Sequence, residues 1–371
     1  MVTEGVDVRI SLQRLLIGLL LTIVPLSVAG LYVTDRGDNA LQQAIGSHFK
    51  IIADSKADQI SQFVNDAVME VGAIAAASAV AEEAAAANQN YLGANSSAAA
   101  SRIQSMQKEW NTPQGAAVAQ KILSTRAARL LNRYREIDRR FLRITVTDEK
   151  GVAVAATHKP MLYFYGADEK WLAVQAGGKG AVQLADVKYD EATKTNYLSI
   201  GVPVLQEGSS RFLGEVQSLV DISPVAAVLN RGLTGAGPRV SLLNGTGIII
   251  FGPEVSLSMN LKSPEYPSVN EALGTAGGRE TGYVIADLTG GGRNLVGFAD
   301  TGLKRDYHTL DWIVLVSQDE REATAPIRGL LRFAFLMVLL GLLMLVIFGV
   351  YFYLHRHQKF MDIASPEVAE R

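Results

Sequence analysis

Two runs of the chain carry no charged residue. Leu15 to Val33 and Phe333 to Leu354 are each close to the ~20 apolar residues that a helix needs to cross a bilayer core. Between them the pattern is amphipathic. Leu41, Ile45, Phe49, Ile52, Lys56, Ile60, Phe63, Ala67, Val71 and Ile74 recur every third or fourth position. That spacing predicts one long helix over residues 38 to 87, with Lys56 as its polar break. At 1.5 Å per residue it would be roughly 75 Å long.

Residues 73 to 100 are alanine-rich, and "NQNYLGANSS" marks a helix end and a turn. A second helix is expected over "NTPQGAAVAQKILSTRAARLLNRYREID", with Thr112 as N-cap and Pro113 at its first position. Its arginines 126, 129, 133 and 135 read as a solvated face. From Phe141 the period changes from about 3.6 to 2, the alternation of half-buried strands. "FLRITVTDEKGVAVAAT" predicts a hairpin and "ADEKWLAVQAG" a short helix. A strand pair follows around "DEATKT", then a fifth strand, "RFLGEVQSLVDIS", and the helix "PVAAVLNRGL".

The same order then begins again. "RVSLLNGTGIIIFG" is a hairpin and "YPSVNEALGTAG" a helix. "TGYVIADLTGGGRNLVGFADTG" is a strand pair, and "LDWIVLVSQDERE" closes the series. Asp148 and Gly151 in the first hairpin have the spacing of Asn244 and Gly247 in the second, and the closing strands end at Asp221 and Asp319. The repetition predicts a duplicated α+β domain, a long N-terminal helix followed by two antiparallel-sheet subdomains.

Charge places the apolar runs. Arg9 and Arg14 precede the first, while His355, Arg356, His357 and Lys359 follow the second. Tyr351, Phe352 and Tyr353 form an interfacial aromatic group at its end. Arg328 and Arg332 oppose the bias, but a long loop translocates largely regardless of charge. The expected layout is a cytoplasmic N-terminus (1–14), a first transmembrane helix (15–34), an extracytoplasmic domain (35–328), a second transmembrane helix (329–354) and a cytoplasmic tail (355–371). Within the domain, 35–140 form a helical stalk, 141–232 a membrane-distal subdomain and 233–326 a membrane-proximal one. Ser27-Val28-Ala29 also resembles the end of a cleavable signal. An uncleaved anchor is favoured because helical patterning resumes within a few residues. The expected location is a bacterial inner membrane, with lipid around both spans and the domain in the periplasm.

A formal net charge of -2 excludes a long-range pull toward nucleic acid. The absence of cysteine excludes disulfides and thiolate chemistry. His48, His158 and His308 have no metal-ligand spacing with acids, and His355 with His357 reads as flank charge. "TGGGRN" lacks the lysine and the strand-to-helix setting of a phosphate loop. No nucleophile with a base partner is recognisable, so no enzyme reading has a catalytic set to stand on, and no cofactor is expected.

The membrane-flanked layout, the long first helix, "TDEKG", "YFYGADEKW", "ADVKYDEATKTNYLSIGVPV" and "FLGEVQSLVDIS" together resemble the double Cache domain. This is the extracytoplasmic sensor module of chemoreceptors, sensor kinases and diguanylate cyclases, and the resemblance covers residues 35 to 328. It implies a small ligand in the distal half, relayed by the proximal half into the second transmembrane helix, and a homodimer paired along the first long helix. Members that bind amino acids carry a Tyr, Arg, Trp, Tyr pattern in the helix region. Aligned on Trp171, this chain has Phe164, Glu169 and Leu172 at the other positions. The carboxylate-gripping arginine is missing, and a standard amino-acid receptor is not expected.

The residues themselves point to an aromatic-walled pocket with carboxylates, suited to an organic cation or amine. Its candidate lining is Tyr163, Tyr165, Asp168 and Trp171 from one stretch and Tyr189, Asp190 and Tyr197 from the next. The bland alternative is that the aromatics fill the core and the acids are solvated. Beyond Leu354 the sequence is too short for an output domain, so a separate cytoplasmic signalling partner or a longer chain would be needed. A structural adaptor that keeps the fold without a ligand is the competing reading.

Overall fold

The computed structural model describes residues 12–91, 96–191, 193–231, 237–253, 255–274, 280–288 and 291–355. Two parts of the chain are compact in themselves: a body within residues 46–319, and the described flanking residues 12–45 with 320–355.

The helices come first. α1 runs Leu12–Ala75, α2 Ser78–Gln89, α3 Ser96–Glu109, α4 Pro113–Ser124 and α5 Arg126–Ile137. Of the stripe expected on α1, Leu41, Phe49, Ile60, Ala67, Val71 and Ile74 are buried while Ile45, Ile52 and Phe63 are half-buried; Ala53, Ala57 and Val64, which the stripe did not include, are buried beside them. Lys56 is buried too. Its ammonium donates to the carbonyls of Val228 and Arg231, at 2.6 and 2.7 Å, at the C-terminal end of α7 (Pro224–Asn230). A cation there is favoured by the helix dipole and by the orphan carbonyls. Burial, and secondarily Arg231, nevertheless lowers its pKa.

Two expected helices are broken. The 38–87 helix stops at Ala75 and resumes at Ser78 with a bend of 58°, because Ala77 takes an extended conformation. The helix after Thr112 is interrupted at Thr125, also extended, whose Oγ1 accepts from the Ala128 amide and caps α5. Thr112 stands at the start of α4 but makes no cap with its side chain, which donates to the Glu109 carbonyl.

The strands form two sheets of like topology. β1 (Phe141–Thr147), β2 (Ala153–Ala156), α6 (Glu169–Gln175), β3 (Gln183–Asp190), β4 (Thr195–Leu205) and β5 (Phe212–Asp221) give the order β2-β1-β5-β4-β3. β6 (Arg239–Leu243), β7 (Ile249–Gly252), β8 (Val255–Ser256), α8 (Tyr266–Leu273), β9 (Thr281–Asp287), β10 (Arg293–Asp300), α9 (Leu303–Asp306) and β11 (Ile313–Asp319) give β8-β7-β6-β11-β10-β9. Without β8 the two orders are the same.

The hairpins repeat bond for bond. Asp148 Oδ1 accepts from the amides of Lys150 and Val152, and Asn244 Oδ1 from those of Thr246 and Ile248. Gly151 and Gly247 have φ of 89° and 83°, which side-chain-bearing residues rarely adopt. Their carbonyls accept from Tyr165 and Ser263 respectively. One difference matters. Asp148 is buried and also accepts from Tyr91 Oη at 2.6 Å, while Asn88 Oδ1 accepts from the Glu149 amide. Only the first hairpin is thereby tied to the end of α2. Burial pushes both the Asp148 carboxyl and the Tyr91 hydroxyl up in pKa.

α10 spans Glu320–His355. It runs through Pro326 and Gly329 and follows directly on β11. Among the described residues no single helix is long and apolar enough to cross a membrane. Phe335–Tyr351 is a shorter apolar helix. Asn39–Ala75 with Ser78–Gln89 passes only as a bent pair, and its apolar side is buried in the body. The expected cytoplasmic end groups Arg9, Arg356, His357 and Lys359 lie outside the described residues.

Candidate ligand-binding cleft

A cleft of about 430 Å³ opens between α6 and the sheet formed by β3, β4 and β5. Its floor follows from strand register. Gln183 pairs with Gly201 and Gly201 with Gln217, while Ala185 pairs with Ser199. Alternate residues share a face, so Gln217 and Glu215 on β5 lie beside Gly201 and Ser199 on β4. Glu169, Lys170, Ala173 and Val174 of α6 form the roof. Lys188 and Thr309 complete the rim.

Glu215 is the distinctive group. It is 2% exposed, and among the described residues its carboxyl has no hydrogen-bond or ion-pair partner; its amide donates to Thr147 Oγ1. Burial, and then the charge of Asp168, pushes its pKa up to about 8. Glycine at 201 makes room for it: a Cβ there would lie 2.5 Å from Glu215 Oε1 and 2.7 Å from Val174 Cγ2. The cleft therefore presents a neutral acid at its floor, neutral polar groups beside it and charged groups at its mouth.

Of the residues singled out by sequence, several act on this cleft only indirectly. Trp171 is 3% exposed, edge-on to Phe212 with ring centroids 6.0 Å apart, and its Nε1 donates to Thr147 Oγ1 at 2.9 Å. Trp171 thus pins α6 to the sheet, with its side chain in the apolar cluster that also holds Tyr165, Trp110 and Val174. Asp168 caps α6 by accepting from the Lys170 amide. Tyr163 packs on Trp110 and lines a different cavity beneath α3. Asp190 and Tyr197 line a third cleft, beside α5 and β1. Tyr189 carries the Lys194 ammonium 6.0 Å from its ring centroid. The seven candidates do not converge on one cavity. In the sequence, Glu215, Gln217 and Gly201 read only as parts of strands. Among the described residues no three His, Asp or Glu side chains are grouped to hold a metal.

A duplicated α+β body with this strand order, and a cleft over β3, β4 and β5 of the first sheet, defines the class. Residues 37–327 match the Cache domain family, and the chain belongs to it. Cache domains of this type are chemoreceptor-type ligand-binding sensors of signal transduction. Solved structures similar to this chain include three ligand-binding domains. That of the Pseudomonas aeruginosa amino acid chemoreceptor PctB, with L-Arg, is 16% identical, with a TM-score of 0.45 over 76% of this chain and 98% of that one. That of Pseudomonas fluorescens CtaA, with L-leucine, is 13% identical, TM-score 0.45, over 77% and 99%. That of Campylobacter jejuni Tlp3, with 4-methylisoleucine, is 10% identical, TM-score 0.49, over 77% and 95%. Comparison with curated proteins gave no match.

Proposed function

We propose that this chain is a membrane-anchored extracytoplasmic sensor whose first subdomain binds a small organic ligand bearing a cationic nitrogen. The observation that carries this reading is Glu215, a buried carboxyl without a partner, facing a cleft large enough for a small molecule. Burial keeps this carboxyl neutral in the unliganded fold, and an amine or guanidinium would offset the cost of ionising it by forming a charge-assisted hydrogen bond. Lys170 and Lys188 at the roof and rim leave room for an anionic group at the ligand's other end.

A route outward supports the sensor reading. Thr309 lines the cleft and donates to the Leu184 carbonyl at 2.6 Å, and Trp312 Nε1 donates to Asp186 Oδ1 at 2.9 Å. β3 is thereby tied to the segment entering β11, which leads directly into α10. A ligand shifts such an equilibrium only by its differential affinity for two arrangements. The signal would pass to a cytoplasmic partner or to an output domain.

Thermal shift of the full chain in detergent against a panel of amines and guanidines, with carboxylates and sugars as contrast, tests the binding claim. A cationic compound should stabilise the parent, by about 2.7 kcal/mol at a hundredfold excess over Kd, and Glu215→Gln should abolish the response. Stabilisation by none of them would favour the ligand-free adaptor instead.

The anchor reading is supported by α10, where Phe335 to Leu340 are all at least 45% exposed and Leu345 and Phe348 reach 66% and 69%. So continuous an apolar surface calls for a lipid environment. Protease added to spheroplasts, whose outer membrane is opened, should cut the 46–319 body and spare tags at both chain ends. Cleavage of the tags instead would reject this topology.

A further inference from the structure

Further along the sheet face that carries Glu215 and Gln217, past Leu219, lies a separate cleft of about 680 Å³. Three consecutive stretches of chain deliver arginines to it. Arg135 comes from the last turn of α5, Arg139 from just beyond that helix, and Arg143 from the start of β1. His158, two residues after β2, joins them.

The neighbouring Arg140 shows what this chain does with an arginine it uses structurally. Its guanidinium is held by both oxygens of Glu70, at 3.0 and 2.9 Å, and by Asp138 at 2.6 Å, and lies 5.3 Å from the centroid of Phe63. Arg135, Arg139 and Arg143 have no such arrangement. Among the described residues none of the three makes a side-chain hydrogen bond or ion pair. Two acids border the cleft. Asp190 is engaged by Thr193 Oγ1 at 3.0 Å, and Glu136 is exposed on α5.

Arg135 has a structural reason to be a cation, since it sits at the negative end of the α5 dipole. Arg143, half-buried on a strand, has none. The imidazole of His158 lines the cleft beside these cations. Burial, and then Arg135 and Arg143, hold its pKa below the ordinary histidine value. Arg139 is exposed, but Arg135 and Arg143 are half-buried; partly desolvated guanidinium groups without acceptors are costly to keep, and their planar forks match oxyanions.

We propose that Arg135, Arg139, Arg143 and His158 form a binding site for a small, multiply charged oxyanion, distinct from the Glu215 cleft. Phosphoryl and carboxylate groups share the required chemistry. The Tyr197 side chain lines the same cleft and gives the anion a neutral neighbour. The site would make the first subdomain responsive to two ligands of opposite charge.

Thermal-shift titration of the full chain with inorganic phosphate and, separately, with succinate tests this, using sodium chloride at matched ionic strength as the reference. At least one of the two should give a saturable rise in Tm. Arg143→Gln should weaken that response about tenfold or more, the scale of losing a charge-assisted hydrogen bond. Arg143→Lys should recover part of it, and Glu215→Gln should leave it intact. The stronger of the two anions identifies the oxyanion type. Arg135→Gln, on a helix surface, provides a second charge removal that the fold should tolerate. Responses no larger than those to sodium chloride, or parent-like binding in both Arg143→Gln and Arg135→Gln, would overturn the proposal.

Discussion

Glu215→Gln should make the unliganded protein more stable at neutral pH, by about 3 kcal/mol at pH 7, and the gain should vanish near pH 4.5. The sign follows from where the proton sits. In the folded body the Glu215 pKa is raised from 4.5 to about 8, first by burial and then by Asp168. Unfolding at pH 7 therefore releases a proton, and rising pH favours the unfolded chain across the window between those two values. Glutamine has nearly the same shape and no proton to lose, so its stability profile should be flatter in that window. Chemical denaturation of parent and variant at pH 5, 6, 7 and 8 measures the difference. Parallel profiles would mean that the carboxyl is ionised and compensated in the folded state, and the cation-binding reading would fall with it. The same linkage makes affinity for a cationic ligand rise with pH toward 8, because the complex needs Glu215 ionised.

The part of this molecule that is legible in its sequence is the part that local chemistry dictates. Asp148 with Gly151, and Asn244 with Gly247, specify their turns through side-chain acceptance two and four residues ahead and a positive φ at the glycine. No distant contact is needed, so the duplication shows in the residue pattern alone. The bend at Ala76 and Ala77 carries no proline or other local signal in the sequence. Glu215 poses a different difficulty. On β5 it looks like one polar member of an alternating strand. Only the register that sets Gly201 against Gln217, and places α6 above them, turns that face into a cleft floor. A carboxylate amid "FLGEVQSLV" is the available clue, since an acid between apolar residues on a central strand needs a reason. The aromatic-rich stretch 163–171 stands out by composition. Yet Tyr165 and Trp171 are the large apolar surfaces available there, and the core takes them.

Trp171→Ala should destabilise the body by about 3–5 kcal/mol, the range for truncating a buried aromatic. Trp171 packs edge-on to Phe212 and sits in the cluster with Val174 and Tyr165, so the cavity would open directly under α6. The variant would also remove the bond to Thr147 Oγ1, the same atom that receives the Glu215 amide. Both the helix roof and the strand position of the acid would loosen together. Loss of ligand response in Trp171→Ala would then report a collapsed roof rather than a missing contact. Trp171→Phe separates the two, because it keeps an aromatic ring in the cluster and gives up the hydrogen bond. It should cost about 1 kcal/mol for the bond, together with a smaller packing loss than alanine, and should retain the response to any cation that Glu215→Gln abolishes. Denaturant midpoints and the ligand-induced Tm shift, measured on both variants, provide the check. A Trp171→Phe protein of near-parent stability that no longer responds to ligand would place the indole in direct contact with the bound molecule. It would also require the α6 roof to move away from its position over Thr147.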